Sequence, residues 1–222
     1  MITIEIMGGL GNQLFQVFNL LAYSLTYKTP FYFENKSSNI IDRPFYWKTF
    51  FSSLNPFLKT SLEHNLSVCK EQGFHYNALT PFDQMNKSFK FIGYFQSYKY
   101  FQEKEQDIFR LIKLNEQVKN VKTKHESLYD FNNTTSIHFR IGDYKNLQHQ
   151  HPVIDISYYT SALNHTISET GKNDWNVLYF YEEPDKEIVD NNIKVLQEEL
   201  KNLTFIPIDT KIVDYEQLLI MS

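Results

Sequence analysis

The first 34 residues constrain the fold more than any other stretch. Ile2 to Met7 carry β-branched residues in weak alternation and read as a strand. Gly8, Gly9 and Gly11 follow at once. Leu14, Phe15, Val17, Phe18, Leu21, Ala22 and Leu25 then recur at helical spacing, which predicts an amphipathic helix. Lys28-Thr29-Pro30 ends it, because proline cannot continue a helix. Phe31 to Glu34 reads as a second strand. Strand, glycine turn, helix and strand in that order form a βαβ unit, the signature of an α/β fold.

A second cycle starts near Thr134. Strands are predicted over Thr135 to Arg140, Asn176 to Tyr181 and Thr204 to Ile208. Helices are predicted over Ser157 to Thr170, over Pro184 to Leu200, and from an Asp214 cap to the chain end. Before that cycle come a strand over Lys90 to Tyr94, a helix over Tyr98 to Leu114, and a polar stretch from Lys119 to Asn133. The segment between Asn35 and Lys90 is aromatic, polar and without a readable period. Two βα cycles in 222 residues predict a two-lobed α/β chain, split near Asn120 to Thr134.

Composition removes several functions. The net charge is −4 and no basic run occurs, so the counterion-replacing stripe needed for nucleic acid is missing. The single cysteine, Cys69, rules out an intrachain disulfide and a cysteine-built metal cage. No run of 18 apolar residues is present, so no transmembrane helix is expected. The N-terminus lacks the order of a signal peptide, and the expected location is cytoplasmic or peripheral at a membrane. The aromatic share, 16%, suits a packed core first and sugar-facing surfaces second.

Two clusters can carry chemistry. Met7-Gly8-Gly9-Leu10-Gly11-Asn12 is a glycine turn opening a helix, which can present free N–H groups to an anion or a sugar. It is neither a dinucleotide fingerprint nor a P-loop, and a plain strand-to-helix turn is the equal alternative. The second cluster is His138-Phe139-Arg140-Ile141-Gly142-Asp143-Tyr144, at the C-terminal end of a predicted strand. Alternation puts His138 and Arg140 on one side. An arginine there can grip a phosphate with two hydrogen bonds. The alternative is a structural Arg–Asp pair at a strand end. Only three of the 22 Lys and Arg residues are arginines, which makes this one notable.

These clusters bring a resemblance with them. Gly8-Gly9-Leu10-Gly11-Asn12-Gln13-Leu14-Phe15-Gln16 resembles the N-terminal signature of the α-1,2-fucosyltransferases, glycosyltransferase family 11. His138 to Tyr144 is similar to that family's His-x-Arg-Arg-Gly-Asp-Tyr motif. Gly93-Tyr94-Phe95-Gln96-Ser97, with Lys99-Tyr100-Phe101 after it, resembles a third segment, and Ser157-Tyr158-Tyr159 a fourth.

The resemblance implies the GT-B arrangement of two Rossmann-like lobes. Residues 1–125 would be the acceptor-side lobe, and 126–222 a partial nucleotide-sugar-binding lobe. It implies GDP-fucose as donor, a glycan acceptor ending in a galactoside, and inverting transfer with no cofactor and no required metal ion. Arg140 would hold the GDP β-phosphate and stabilise the departing charge. Asn12, with Gly9 and Gly11, would shape the cleft, facing Arg140. His138 and Gly142 would line the nucleotide pocket, and Asp143 would fix the loop.

Three departures from the family pattern stand out. Ile141 replaces a second arginine, as an apolar residue does in related protein O-fucosyltransferases. Phe180-Tyr181-Glu182-Glu183-Pro184 stands where the family has a strand and Ser-Asp-Asp. Asp214 to Ser222 resembles the helix that precedes the family's Asn-Ser-Ser/Thr-Phe-Ser-Trp-Trp segment, so a chain cut short, with its second lobe incomplete and slow or inactive in transfer, is expected.

Overall fold

The computed structural model describes residues 1–36, 43–60, 66–85 and 88–222. The chain is mixed α/β with small parallel sheets, and the described residues form no closed barrel. It divides into two compact units, Met1–Gln117 and Val118–Ser222.

In the first unit β1 (Ile2–Ile4) leads through the glycine turn into α1 (Leu10–Tyr27). The turn arrives sooner than alternation predicts, so β1 has three residues, with one more ladder bond from Glu5 N–H to the Phe91 carbonyl at 2.9 Å. β2 (Phe33–Glu34) pairs in parallel with β3 (Leu58–Lys59), and an Ile2–Phe31 bridge ties this pair to β1. On the other side of β1 runs β5 (Phe89–Ile92), and beyond it β4 (Ser67–Lys70), all parallel. A short α2 (Phe82–Met85) precedes β5.

Most of α1 is buried. Val17, Leu20 and Leu21 have no exposed surface, and Phe18 meets Phe101 edge-on at 5.2 Å. The aromatic supply goes largely into this core. Tyr32, Phe33, Phe50, Phe51, Phe89, Phe91 and Phe95 are fully buried.

The single helix predicted over Tyr98 to Leu114 does not form. A 3-10 turn over Tyr98–Tyr100, capped by the Ser97 side chain, gives way to another over Gln102–Lys104 and then to α3 (Glu105–Leu111). Lys113 takes a left-handed φ of 55°, which breaks the path before α4 (Leu114–His125). The division between the units falls inside α4, whose Lys124 and His125 bond Glu216 of the second unit. In the stretch that showed no period, residues 37–42, 61–65 and 86–87 lie outside the described residues.

The second unit is a parallel sheet in the order β6 (Thr134–His138), β7 (Asn176–Phe180), β8 (Thr204–Pro207). α5 (Ile156–Thr170) and α6 (Lys186–Glu199) are the crossovers, and α7 (Asp214–Met221) follows β8. Val177 and Tyr179 of β7 face the core built with Tyr159, Leu163, Val189 and Ile193 of the two crossover helices. Asp155 caps α5 by accepting from Ser157 N–H at 2.9 Å. α7 begins differently from the prediction. Val213 holds the cap position, and Asp214 is the first helical residue, its carboxylate accepting from the next N–H, that of Tyr215, at 2.8 Å. Among the described residues no helix is long and apolar enough to cross a membrane.

Candidate functional site

In the first unit β1 has β2 on one side and β5 on the other. Ligands in open α/β sheets sit outside the carboxyl ends of strands where the order reverses in this way. The loops at those ends are Gly8-Gly9 after β1 and Gly93 onward after β5. Gly8 has φ of 79°, and a Cβ there would meet the Asn12 Nδ2 at 2.5 Å. Gly93 has φ of 156°, and a Cβ there would collide with the Glu71 side chain. Both positions require glycine.

Two buried glutamines hold the loops together. The Gln16 Oε1 accepts from Met7 N–H at 3.0 Å while its amide donates to the Gly93 carbonyl at 3.3 Å. Gln13 donates to the carbonyls of Gly8 at 2.9 Å and Pro44 at 2.8 Å. At the surface, the Gln96 amide donates to the Asn12 Oδ1 at 2.6 Å. The glycine-turn segment and the Gly93–Ser97 segment, far apart in sequence, thus meet at one sheet edge. Gly9 has an ordinary φ of −76° as the cap of α1, and Gly11 lies in its first turn with open space where a Cβ would go. Asn12 belongs to this loop pair; the two glycines contribute no comparable contact.

Just below this edge, Glu34 is 8% exposed and receives Lys36 and Lys90 at 3.0 and 3.1 Å. Burial opposes its ionisation, but the two ammonium groups outweigh that and hold its pKa below the ordinary glutamate value. The Cys69 thiol on β4 has its pKa raised by burial, which makes it a poor nucleophile.

In the second unit the register pairs His138 with Phe180, and the Phe139 N–H still reaches the Phe180 carbonyl at 2.8 Å. Phe139 and Ile141 enter the core, which leaves His138 and Arg140 on the other side of the chain. Two residues past the pair His138–Phe180, Arg140 stands opposite Glu182. Its guanidinium donates to the Glu182 Oε1 at 2.6 Å and to the Asp143 Oδ1 at 2.9 Å. Its plane lies 5.0 Å from the Tyr144 ring, and Tyr144 stacks on His151 at 4.8 Å. Gly142 N–H is bound to the buried Asp185 at 2.7 Å, and Lys145 bonds the same carboxylate at 2.6 Å. Burial works against the Asp185 anion, yet those two donors keep its pKa low. The backbone donor of Gly142 is therefore already in use.

His138 retains solvent access at its edge, but the atoms around the ring desolvate the imidazolium and lower its pKa. Arg140 pushes it down further and Glu182 opposes both. Tyr159, from the Ser157-Tyr158-Tyr159 segment, donates its hydroxyl to the His138 carbonyl at 3.0 Å, and its ring packs 4.6 Å from that of Phe139.

The Arg140 pairs are exposed, and such pairs contribute at most about 1 kcal/mol. A charge-assisted hydrogen bond from arginine to phosphate contributes about 1.5–3 kcal/mol. An incoming phosphate can therefore take Arg140 from Glu182. Asp143 holds the Arg140 guanidinium from the same turn.

Sequence reasoning assigned no role to Gln13, Gln16, Glu182 or Asp185, although the two glutamines lie in the Gly8–Gln16 motif. The glutamines carried a signal, since Gln13, Gln16 and Asn19 form a polar stripe at helical spacing on an otherwise apolar helix. All three are fully buried, and the side-chain amide of Asn19 has no hydrogen-bond partner among the described residues. Glu182 was legible only as part of a departure from the family pattern, and neither it nor Asp185 carried a signal of its partner, which lies about forty residues away. No family model matches the chain, and neither a curated protein nor a solved structure does.

Proposed function

We propose that the protein is a glycosyltransferase resembling the galactoside α-1,2-fucosyltransferases, with two Rossmann-like lobes in the GT-B manner. It transfers fucose from GDP-fucose to a glycan hydroxyl with inversion and without a metal ion. The observation that carries the reading is Arg140 at the carboxyl end of β6 in a parallel sheet, with exposed ion-pair partners, Asp143 and Glu182, that a diphosphate can displace. Further support comes from the pairwise meeting of the segments that carry the resemblance: Asn12 with Gln96, and His138 with Tyr159. In this reading Arg140 grips the β-phosphate and stabilises the leaving diphosphate. His138, its pKa lowered by its surroundings, can offer the nucleotide a hydrogen bond.

Calorimetric titration tests this. GDP-fucose should bind in preference to GDP-mannose and UDP-sugars. Arg140→Ala should weaken GDP binding about tenfold to a hundredfold, whereas Arg110→Ala, on an exposed helix face where it pairs with Asp107, should leave it unchanged. Equal affinities for the two variants would remove Arg140 from the site.

A second reading is favoured by one contact. Glu182 takes the place of a neutral or shorter residue in the family pattern and neutralises Arg140 at 2.6 Å. A chain that binds nucleotide or glycan without turnover would tolerate that substitution. Measurable GDP binding with no transfer to any galactoside, in wild type and in Glu182→Ser alike, would favour this second reading.

A further inference from the structure

An open cleft of about 240 Å³ lies against the C-terminal half of α1, separate from the Asn12 end of the helix. Eleven residues separate Asn12 from Tyr23, or about 16 Å at the helical rise. Its lining includes tyrosines from three segments, Tyr23 and Tyr27 of α1, Tyr76 from the loop after β4 and Tyr100 from the 3-10 turn, together with Phe101 and Glu103. Lys99 and Lys104 stand at its rim.

These groups have a definite division of labour. The Tyr23 hydroxyl is spent on the Thr80 carbonyl at 2.7 Å, and the Tyr100 hydroxyl accepts from Asn77 N–H at 3.2 Å, so both rings are fixed. Tyr76 leans on Tyr100 with centroids 4.8 Å apart at 57°, and it remains 43% exposed. A rigid, half-exposed ring supported from behind costs little entropy when a ligand lands on it. Beside it are the ammonium donors of Lys99, whose Nζ lies 5.9 Å from the Tyr76 ring centroid, and of Lys104. The polar lining argues against a lipid or an apolar peptide side chain. Amphipathic rings next to hydrogen-bonding tips suit a ligand with one C–H face and a girdle of hydroxyls.

We infer that this cleft is a saccharide-binding subsite of the first unit, in which a sugar ring stacks on Tyr76 and its hydroxyls meet Lys99 and Lys104. It does not depend on transfer activity, and it is distinct from the loop pair at Asn12. The two are nevertheless joined by one short loop. Gln96 bonds Asn12, and Lys99 and Tyr100 line the cleft three and four residues later. Just before Gln96, Phe95 is 1% exposed with φ of 52°, and Ser97 N–H bonds its carbonyl at 2.7 Å, so the loop is pinned at its start. A glycan seated on Tyr76 therefore touches the segment that also positions Gln96.

Lactose, maltotriose and chitobiose are the probes, titrated into the full chain and followed by saturation-transfer NMR and by amide shifts. At least one should bind in the millimolar range and move the amides of Lys99 and Tyr100. Tyr76→Ala should weaken it about tenfold, the size of one aromatic stacking contact, while Tyr76→Phe should retain it. Tyr76 is exposed, so neither variant should disturb folding, which circular dichroism checks. Binding of none of the three sugars, or binding that Tyr76→Ala leaves untouched, would overturn the inference. GDP titration is run separately. Sugar binding without GDP binding leaves this subsite standing and sinks the donor reading, and the converse result does the reverse.

Discussion

The two glycine-containing turns occupy the same kind of place, the carboxyl end of a parallel strand, and are built on opposite principles. After β1 the turn is organised from within by neutral amides. Gln13 and Gln16 are fully buried and spend their hydrogen bonds on backbone groups of three loops. After β6 the turn is organised by charges, several of them exposed: Arg140 with Glu182 and Asp143, and Lys145 with Asp185. Buried neutral bonds are costly to break and cannot be replaced by water, so they fix shape. Exposed ion pairs are cheap to break and exchange partners readily, so they can yield to a ligand. The first turn is thus suited to be a rigid wall, and the second to be a grip.

The largest consequence of this contrast is for stability. Gln16→Ala removes two hydrogen bonds and leaves Met7 N–H and the Gly93 carbonyl without their partner. It should cost about 2–4 kcal/mol, read as a lower denaturant midpoint. A loss below about 0.5 kcal/mol would mean that water satisfies both groups and that the first turn is not held from inside. Gly8→Ala comes next. An L side chain at φ of 79° is strained, and its Cβ would push Asn12 away from Gln96. The cost expected is about 1–2 kcal/mol. NMR of the Gln96 side-chain amide should show the loss of the Asn12 bond; an unchanged amide would mean that the turn adapts without moving Asn12.

How much of this could be read in advance differs between the two turns in the same way. The apolar spacing of α1, the β-branched run of β1 and the apolar run of β7 are local patterns, and they announced their elements. β3, with two residues, and β4, whose Val68 is 60% exposed, bury too little in any regular order to be read. The break at Lys113 has no signal at all, because a left-handed lysine looks like any other lysine while Phe101, Ile108 and Ile112 keep an apolar period running through the region. At the candidate site, Asn12 and Arg140 were visible as residue types in suggestive turns. The partner of Arg140 was not, since only the register of β6 against β7 brings Glu182 across. Local patterns specify elements, whereas side-chain partners depend on pairing between elements.

A smaller effect tests the second turn as a grip. Arg140→Ala should change stability by less than about 1 kcal/mol, because its ion pairs are exposed. The same substitution is the one expected to cost most in GDP affinity. Destabilisation as large as that of Gln16→Ala would make Arg140 a structural residue and erase the difference between the turns.

The smallest effect reads the charges of the second turn directly. Desolvation and Arg140 both disfavour the His138 imidazolium, while Glu182 favours it, and the balance lies below the ordinary histidine value of 6.5. The folded chain then binds fewer protons at His138 than the unfolded chain does. The stability this contributes is present above pH 6.5 and is lost as pH falls through the folded-state pKa. An NMR titration of the His138 ring should give a midpoint below 6.5. Removing each neighbour should move it in a fixed direction: Arg140→Ala upward, because a repelling cation is gone, and Glu182→Gln downward, because a stabilising anion is gone. The two shifts have opposite signs only if both charges stand close to the ring. GDP gives a third measurement, since a bound diphosphate brings negative charge to Arg140 and should raise the midpoint. Shifts of the same sign in the two variants would show that the charges around Arg140 are not arranged as the register of β6 and β7 places them, and the second turn could no longer be contrasted with the first on electrostatic grounds.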